Sequence, residues 1–190
     1  MPTDPLKLQA LTATAIEDAT QRYIDGGTPA SWERDMRAIL TRGHTAAYLA
    51  GLSERLGIPL DKALISERRL SKAERADIKE VVSAQLKYFD GFLDDVEGMS
   101  DAQIATRAQL YAGATRATYY ESRWGDWELP FVPADGGTPC LGRCRCYADV
   151  EDMGKGVGRY NYHLGSSERH CDVCPSRASS SPYTVRRRAA

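Results

Sequence analysis

The first 139 residues of this 190-residue chain contain no cysteine, whereas the remaining third contains five. The chain also lacks any run of about 18 apolar residues, so its sequence predicts no membrane-spanning helix. A net charge of −1 argues against a strongly basic nucleic-acid-binding protein. The first residues have neither the basic start nor the apolar stretch of a signal peptide, so we expect synthesis in a reducing cytosol.

The sequence motifs of common catalytic centres are missing as well. There is no glycine-rich phosphate loop, no Gly-x-Ser-x-Gly nucleophile turn and no His-Glu-x-x-His zinc-protease motif. No nucleophile and base stand out as a pair. We therefore predict that this protein is not an enzyme.

The composition is that of a folded protein, with 42% apolar and 27% charged residues. A chain of this length can bury a substantial core and suggests one domain, or one domain with a small appendage. At Trp124 the helical periodicity stops, and glycine, proline and cysteine become frequent. We therefore predict a helical body over residues 1–123, a cysteine-rich unit over residues 124–183 and a flexible basic tail over residues 184–190.

Four helices are predicted in the helical body. Asp4 and Thr28 each precede a proline, the pattern of an N-cap followed by proline in the first turn. Ser71 and Ser100 each stand three residues before Glu or Gln, the pattern of a capping box. Apolar residues recur at helical spacing after each start. The helices are predicted to end near Gly26, Gly57, Gly98 and Arg123, and residues 61–70 form a short helix or an ordered connection.

A stripe of small residues runs along the second predicted helix, where Gly43, Ala47 and Gly51 lie four residues apart. Such a stripe lets another helix approach closely. The alternative is a weak helix, since each glycine costs about 1 kcal/mol relative to alanine. Ala46 and Ala50 extend the same surface, so we expect close helix packing there.

Two short strands are predicted in the cysteine-rich unit. Residues 145–150 and 158–164 have the alternation of side chains, and the second also has the aromatic content, that is typical of strands. Residues 151–157, which include Gly154 and Gly156, suit a hairpin loop between the two strands.

The spacing of the cysteines is that of a structural zinc site. Zinc in such sites takes four ligands in a tetrahedron, most often thiolates. Cys171 and Cys174 are separated by two residues and form a standard chelating pair. Two of Cys140, Cys144 and Cys146 would complete the set, and Cys140 with Cys144 is our first choice. Cys146 is nearly as good a ligand as Cys144.

Other roles for these cysteines are less favoured. Five cysteines leave one over in a set of disulfides, and a reducing compartment is expected. Buried thiols are an alternative, because cysteine packs as a small apolar side chain. A catalytic zinc usually takes His or carboxylate ligands, and a redox pair would open a helix in a βαβ unit, which is not the pattern here. His170 is a weaker ligand candidate, since adjacent residues rarely bind one ion.

A single zinc ion would supply folding energy that the cysteine-rich unit, poor in aliphatic residues, cannot obtain from its own core. The predicted fold is therefore mainly α: a bundle of about four helices with a small zinc-stapled β-hairpin appendage. Removal of the metal is expected to loosen the appendage and leave the helices largely intact.

Three further features of the sequence have both a functional and a structural interpretation. His44 is predicted to be a structural or surface residue rather than a catalytic one. Asp94, Asp95 and Glu97 cluster at a helix end, where a solvated surface is favoured over a cation site. Arginines also surround the cysteines and form a basic tail, so contact with nucleic acid is an alternative. These arginines are Arg143, Arg145, Arg159, Arg169 and Arg177 near the cysteines, and Arg186–Arg188 in the tail.

Four sequence elements of the second half belong to a known pattern. They are Tyr-Ala-x-x-x-Arg-x-x-Tyr over residues 111–119, Trp-x-Leu-Pro over 127–130, Asp-Gly-x-Thr-x-Cys-Leu-x-x-Cys-Arg-Cys over 135–146 and His-Cys-x-x-Cys over 170–174. Over about residues 105–183 the chain resembles the C-terminal region of phage head-morphogenesis proteins, the minor head proteins related to the Mu F family. Many members have His-Pro-Asn where this chain has Leu-Gly-Arg before Cys-Arg-Cys.

The resemblance implies a virion structural or assembly protein without enzymatic activity, present near the head vertex or as a capsid-associated accessory protein. Its partners would be the major capsid protein or the portal and connector proteins, in a symmetric oligomer or array. It would be found in the virion and, during assembly, in the host cytoplasm. The alternatives are a head–tail connector protein and a zinc-stabilised nucleic-acid-binding module that acts in DNA packaging.

Overall fold

The computed structural model describes residues 4–60, 70–136, 145–166 and 170–189. Within these residues it contains five α-helices and one three-stranded antiparallel sheet, which confirms the mainly helical prediction. The helices are α1 (Pro5–Ile24), α2 (Pro29–Leu56), α3 (Lys72–Asp95), α4 (Asp101–Arg123) and α5 (Val173–Ser179), with a 3₁₀ turn over Val96–Gly98. The strands are β1 (Tyr147–Asp152), β2 (Val157–His163) and β3 (Tyr183–Arg186).

The four long helices begin at the predicted caps. The Asp4 carboxylate accepts hydrogen bonds from two amides of the first turn of α1. Ser71 and Glu74 form a complete capping box at the start of α3, and Ser100 begins a second one at the start of α4. Gly57 ends α2 in the left-handed conformation, with φ of 63°, which glycine adopts without a Cβ clash. Local sequence signals therefore set these helix boundaries.

The helical body is held by an aromatic core between α2, α3 and α4. The indole of Trp32 meets the rings of Phe89 and Phe92 edge-on, with ring centroids 5.7 Å apart in both pairs. The Phe92 ring stacks on Tyr111 of α4 at 6.0 Å. Burial of each such side chain stabilises the fold by about 2 kcal/mol or more. These contacts attach the C-terminal half of α3 to the other helices.

Close packing along the small-residue stripe of α2 is confirmed. A Cβ atom at Gly43 would lie 3.0 Å from the Thr12 side chain of α1. A Cβ atom at Gly51 would meet the carbonyl oxygen of Tyr119 and lie 2.8 Å from the amide nitrogen of Arg123. Since Ala47 is fully buried as well, the stripe brings the backbones of α2 and α4 together.

The predicted hairpin is present, with boundaries shifted by one or two residues. Strands β1 and β2 pair in antiparallel register from Tyr147 opposite His163 to Asp152 opposite Gly158. The turn between them contains Gly154 with φ of 84°, a backbone conformation that favours glycine.

The end of the chain differs from the flexible tail that the sequence predicts. Strand β3 pairs with β2, and the Arg187 amide donates to the carbonyl of Gly156. Val185 is buried in the core of the cysteine-rich unit, while Thr184 and Arg186 on either side of it are exposed. Periodicity did not predict this strand, because the segment is short and rich in serine and arginine, and a single buried apolar residue gives little periodic signal.

The predicted short helix or connection over residues 61–70 lies, except for Leu70, outside the described residues. Among the helices of the described ranges, none combines the length and the apolar character that crossing a membrane requires.

Candidate metal centre

The cysteine-rich unit has a small core of mainly aromatic side chains beneath the sheet. Phe131 is partly buried and packs against this core, with its ring 5.7 Å from Tyr160, 5.4 Å from Tyr162 and 5.3 Å from Tyr183. Two cysteines belong to the same core, and both side chains are almost completely buried. The buried members of this cluster are Trp127, Ala134, Cys146, Ala148, Tyr160, Tyr162, Cys174 and Val185.

The predicted chelating pair is brought together at the start of α5. The Cys174 amide donates to the Cys171 carbonyl at 3.2 Å, which closes a turn just before the helix. This turn places the two Sγ atoms 3.3 Å apart. The hydroxyl of Tyr162 lies 3.5 Å from the Cys174 sulfur. Two of the predicted ligands therefore point at a common position.

The separation of these two sulfurs lies between the length of a disulfide bond and one edge of a zinc tetrahedron. Ligand sulfurs at about 2.3 Å from zinc in tetrahedral geometry lie about 3.8 Å apart, whereas a disulfide holds them at about 2.05 Å. The observed 3.3 Å lies closer to the zinc value. Cys140 and Cys144, the first-choice partners, lie outside the described residues.

Cys146 occupies a different position from the pair. It lies just before β1 and is 1% exposed. In the described part of the chain, no group of three or more His, Cys, Asp or Glu residues is arranged to hold a metal ion. Cys146 therefore does not form a three-ligand set with Cys171 and Cys174, and neither does the partly buried His170.

An arginine that the sequence reading did not single out attaches this unit to the helices. The guanidinium of Arg116, on α4, donates a hydrogen bond to the Cys146 carbonyl. Arg116 is only 1% exposed. One turn later, Tyr120 lies close to Arg116 and to the backbone of Ala148. Burial raises the pKa of Tyr120 and outweighs these two groups, which lower the pKa of its hydroxyl, so the hydroxyl stays protonated. Arg116 thus binds the backbone just before β1, which is an edge strand of the sheet among the described residues.

The signal that could have identified Arg116 was present in the sequence. It is the arginine of the Tyr-Ala-x-x-x-Arg-x-x-Tyr element, in a helix whose neighbouring positions are small or aromatic. A charged residue in the middle of an apolar stripe either reaches solvent or has buried partners. Periodicity cannot decide between these outcomes, because the partner is 30 residues away along the chain.

A groove between α3 and α4 forms a separate recess. Two adjoining cavities of about 570 and 600 Å³ share lining residues on both helices, among them Val81 and Thr118. Glu121 lies where the cavities meet. Its pKa is raised because desolvation by the surrounding protein disfavours the charged carboxylate and because Asp135 nearby is also negatively charged. Neither Cys nor His is found among the described lining residues. The groove is therefore distinct from the cysteine pair.

The remaining candidates from the sequence have structural or solvent-facing positions. Asp95 forms an ion pair with Arg107 at 2.7 Å, and Asp94 and Glu97 are exposed. Several arginines near the sheet have carboxylate partners, which offset their charge. These pairs are Arg159 with Glu151, Arg177 with Asp135 and Arg187 with Asp152. Arg145 is exposed, and Arg143 and Arg169 lie outside the described residues.

His44 is a buried structural histidine, as predicted. Its ring is 1% exposed, and Nδ1 lies 2.8 Å from the Thr118 hydroxyl of α4. The other ring nitrogen has no hydrogen-bond partner in the described part of the chain. Burial lowers the pKa of His44 to about 4, because a charged imidazolium would lose its hydration there.

The protein is therefore expected to become less stable as the pH is lowered, because His44 is protonated more readily in the unfolded chain than in the folded one. The unfolded chain takes up a proton near its ordinary pKa of 6.5, and the folded chain does so only near 4. Between about pH 7.5 and about pH 5 this difference costs about 2 kcal/mol of unfolding free energy. Urea unfolding at several pH values measures it. H44Q should flatten the dependence, whereas H163Q at the exposed hairpin should retain it; equal profiles for the two variants would contradict this role.

Comparison with protein-family models, with curated proteins and with solved structures found no match to this chain.

Proposed function

We propose that this protein is a structural protein of a bacteriophage head, which acts through contacts with other virion proteins and carries no enzymatic step. The sequence resemblance to head-morphogenesis proteins supports this proposal. Its partners would be the major capsid protein or the portal and connector proteins. The protein would join the virion after synthesis in the host cytoplasm.

The observation that carries the proposal is the placement of the residues behind the resemblance. Arg116 from the first element binds the backbone of Cys146 from the third. Trp127 from the second packs against Gly158 of β2, where a Cβ atom would lie 2.6 Å from the indole ring. Cys174 from the fourth shares the same buried core. These residues form one junction between α4 and the sheet.

A junction of this kind has the properties of a scaffold for a rigid surface. Its members are buried, the Arg116 guanidinium donates to a backbone carbonyl, and the Tyr162 hydroxyl contacts the Cys174 sulfur. A rigid surface binds a partner without the entropy cost of ordering a loop at the moment of contact. This supports a role in assembly rather than in enzymatic catalysis.

The zinc proposal belongs to the same unit. Cys171 and Cys174 would bind one ion together with Cys140 and Cys144, as four thiolates in a closed structural site. Such an ion would connect the chain before β1 to the start of α5. Its contribution is folding energy, which the metal supplies only when all ligands are in place.

The assignment to a virion is tested on purified phage particles. Mass spectrometry of particles from a density gradient should detect this chain in constant ratio to the major capsid protein. Cryo-electron microscopy should then place it at the shell or at the vertex; a position in the neck would instead assign it to the head–tail connector. Absence of the chain from intact particles, together with its presence in the soluble lysate, would overturn the proposal.

The zinc proposal predicts one ion per purified chain. Chelation should remove it and increase hydrogen exchange over residues 145–189, while α1 to α4 keep their protection and their helical circular dichroism. C171S should reduce the zinc content to well below one per chain, because a bound pair loses half of its ligands. C146S is the matched control and should retain the metal. Full zinc content in C171S would contradict the ligand assignment.

A further inference from the structure

The two cysteines of the pair differ in access to solvent. Cys171 is partly exposed, whereas Cys174 is 1% exposed beneath the sheet. The Tyr162 hydroxyl that contacts the Cys174 sulfur is itself on a side chain only 3% exposed. Cys171 is therefore the residue of the pair that a reagent in solution can approach, whereas Cys174 is covered. The sequence does not indicate this asymmetry, since both cysteines belong to one short motif.

Cys171 precedes a short helix and Cys174 lies in its first turn, but this is not the βαβ unit of common redox pairs, as predicted. Helix α5 begins at Val173, between β2 and β3, and these strands are antiparallel rather than parallel. The turn holds the sulfurs 3.3 Å apart, so a contraction of just over 1 Å would bring them to the length of a disulfide bond. Two thiols at this separation, one accessible and one buried, have the arrangement of an attacking and a resolving thiol.

We propose that Cys171 and Cys174 are a site of reversible thiol–disulfide exchange with low-molecular-weight disulfides such as oxidised glutathione. The Cys171 thiolate attacks one sulfur of the glutathione disulfide, which forms a mixed disulfide and releases one glutathione thiolate. The Cys174 thiolate then attacks the Cys171 sulfur, closes the protein disulfide and releases the second glutathione. The protein loses two electrons, and the glutathione disulfide gains them.

The exchange has a consequence for the proposed metal centre, and this part of the inference rests on the zinc proposal. A disulfide between Cys171 and Cys174 removes two of the four thiolates, so an ion bound there is released. Cys146 takes no part, because it is buried and does not join the pair in a common site. Oxidation would thus convert a metal-stapled unit into one closed by a local disulfide.

The test uses the full-length chain in glutathione buffers of increasing oxidising strength, with and without prior chelation of metal. Remaining thiols are alkylated with N-ethylmaleimide and assigned by peptide mass spectrometry. The wild type should lose the thiols of Cys171 and Cys174 together, and its mass should decrease by two hydrogens. Both thiols should be recovered on reduction. Released zinc, measured with a chromogenic chelator, should rise in equal amount.

Two single variants test the order of attack. C174S should accumulate one glutathione on Cys171, because the resolving thiol is missing. C171S should leave Cys174 largely unmodified, with a rate of adduct formation at least about tenfold lower, because its sulfur is buried. C146S, the matched control, should form the same disulfide as the wild type.

Three results would overturn the inference. They are equal glutathione addition to Cys174 in C171S and to Cys171 in C174S, a first disulfide that includes Cys146, and no Cys171–Cys174 disulfide with or without chelation. The zinc proposal is tested separately by the metal content before oxidation. A zinc-free protein that still forms this disulfide would contradict only the zinc proposal. A zinc-loaded protein that never forms the disulfide would contradict only the exchange proposal.

Discussion

Replacing Arg116 with Ala is expected to lower the free energy of unfolding by about 3–5 kcal/mol. The change removes a charged donor from the buried Cys146 carbonyl, which costs about 1.5–3 kcal/mol for a hydrogen bond of this kind. It also leaves a cavity where a large side chain is 1% exposed. Urea unfolding followed by circular dichroism measures the loss, and hydrogen exchange of β1 locates it.

Two comparisons make this result specific to the junction. R107A, on the same helix, removes an arginine that forms an exposed ion pair with Asp95 and should cost about 1 kcal/mol or less. Y120F removes only a hydroxyl from the same junction and should cost about 1 kcal/mol, with faster exchange at β1. If R116A were no more destabilising than R107A, Arg116 would not be what holds the sheet to α4.

Replacing Gly51 with Ala is expected to destabilise the protein by about 3 kcal/mol or more, although alanine is the better helix former. The added methyl group would collide with the Tyr119 carbonyl and with the Arg123 amide, both of which are backbone atoms of α4. A side chain could rotate away, but here the helices themselves must separate, and overpacking of this kind costs at least 1–3 kcal/mol. Thermal and urea unfolding should both show the loss.

G91A provides the matched control on α3. A Cβ atom at Gly91 meets nothing within 4 Å, so this substitution should stabilise the helix by about 1 kcal/mol. Opposite signs for the two variants would show that helix contact, rather than glycine content, controls stability. A neutral or stabilising effect of G51A would mean that α2 and α4 lie farther apart than described.

Much of the helical body was predictable because its signals are local. The caps at Asp4, Ser71 and Ser100 act within one turn of their own residues, and the apolar periodicity of each helix requires no knowledge of its partner. The strands of the hairpin followed for the same reason, from alternation over six or seven residues. Helix α5 and strand β3 were missed because each is short and depends on contacts with Phe131 and the sheet.

The candidate site was predictable only in part. The motif spacing predicted that Cys171 and Cys174 would converge, and the turn brings their sulfurs to 3.3 Å. Their unequal access depends on Tyr162 and the sheet, which no spacing encodes. The predicted equivalence of Cys146 and Cys144 as ligands rested on spacing as well, and Cys146 is instead held at the edge of β1.

By itself, the sequence determined where the helices start, which helix carries the small-residue stripe and which residues of the cysteine motif form a pair. Those properties are decided by interactions within a few residues along the chain. Only the tertiary structure decided that Arg116 is buried against Cys146, that Gly51 touches the backbone of α4 and that Cys171 is the more exposed residue of the pair. Each of these depends on residues brought together from distant parts of the chain, and burial and packing are properties of that assembly.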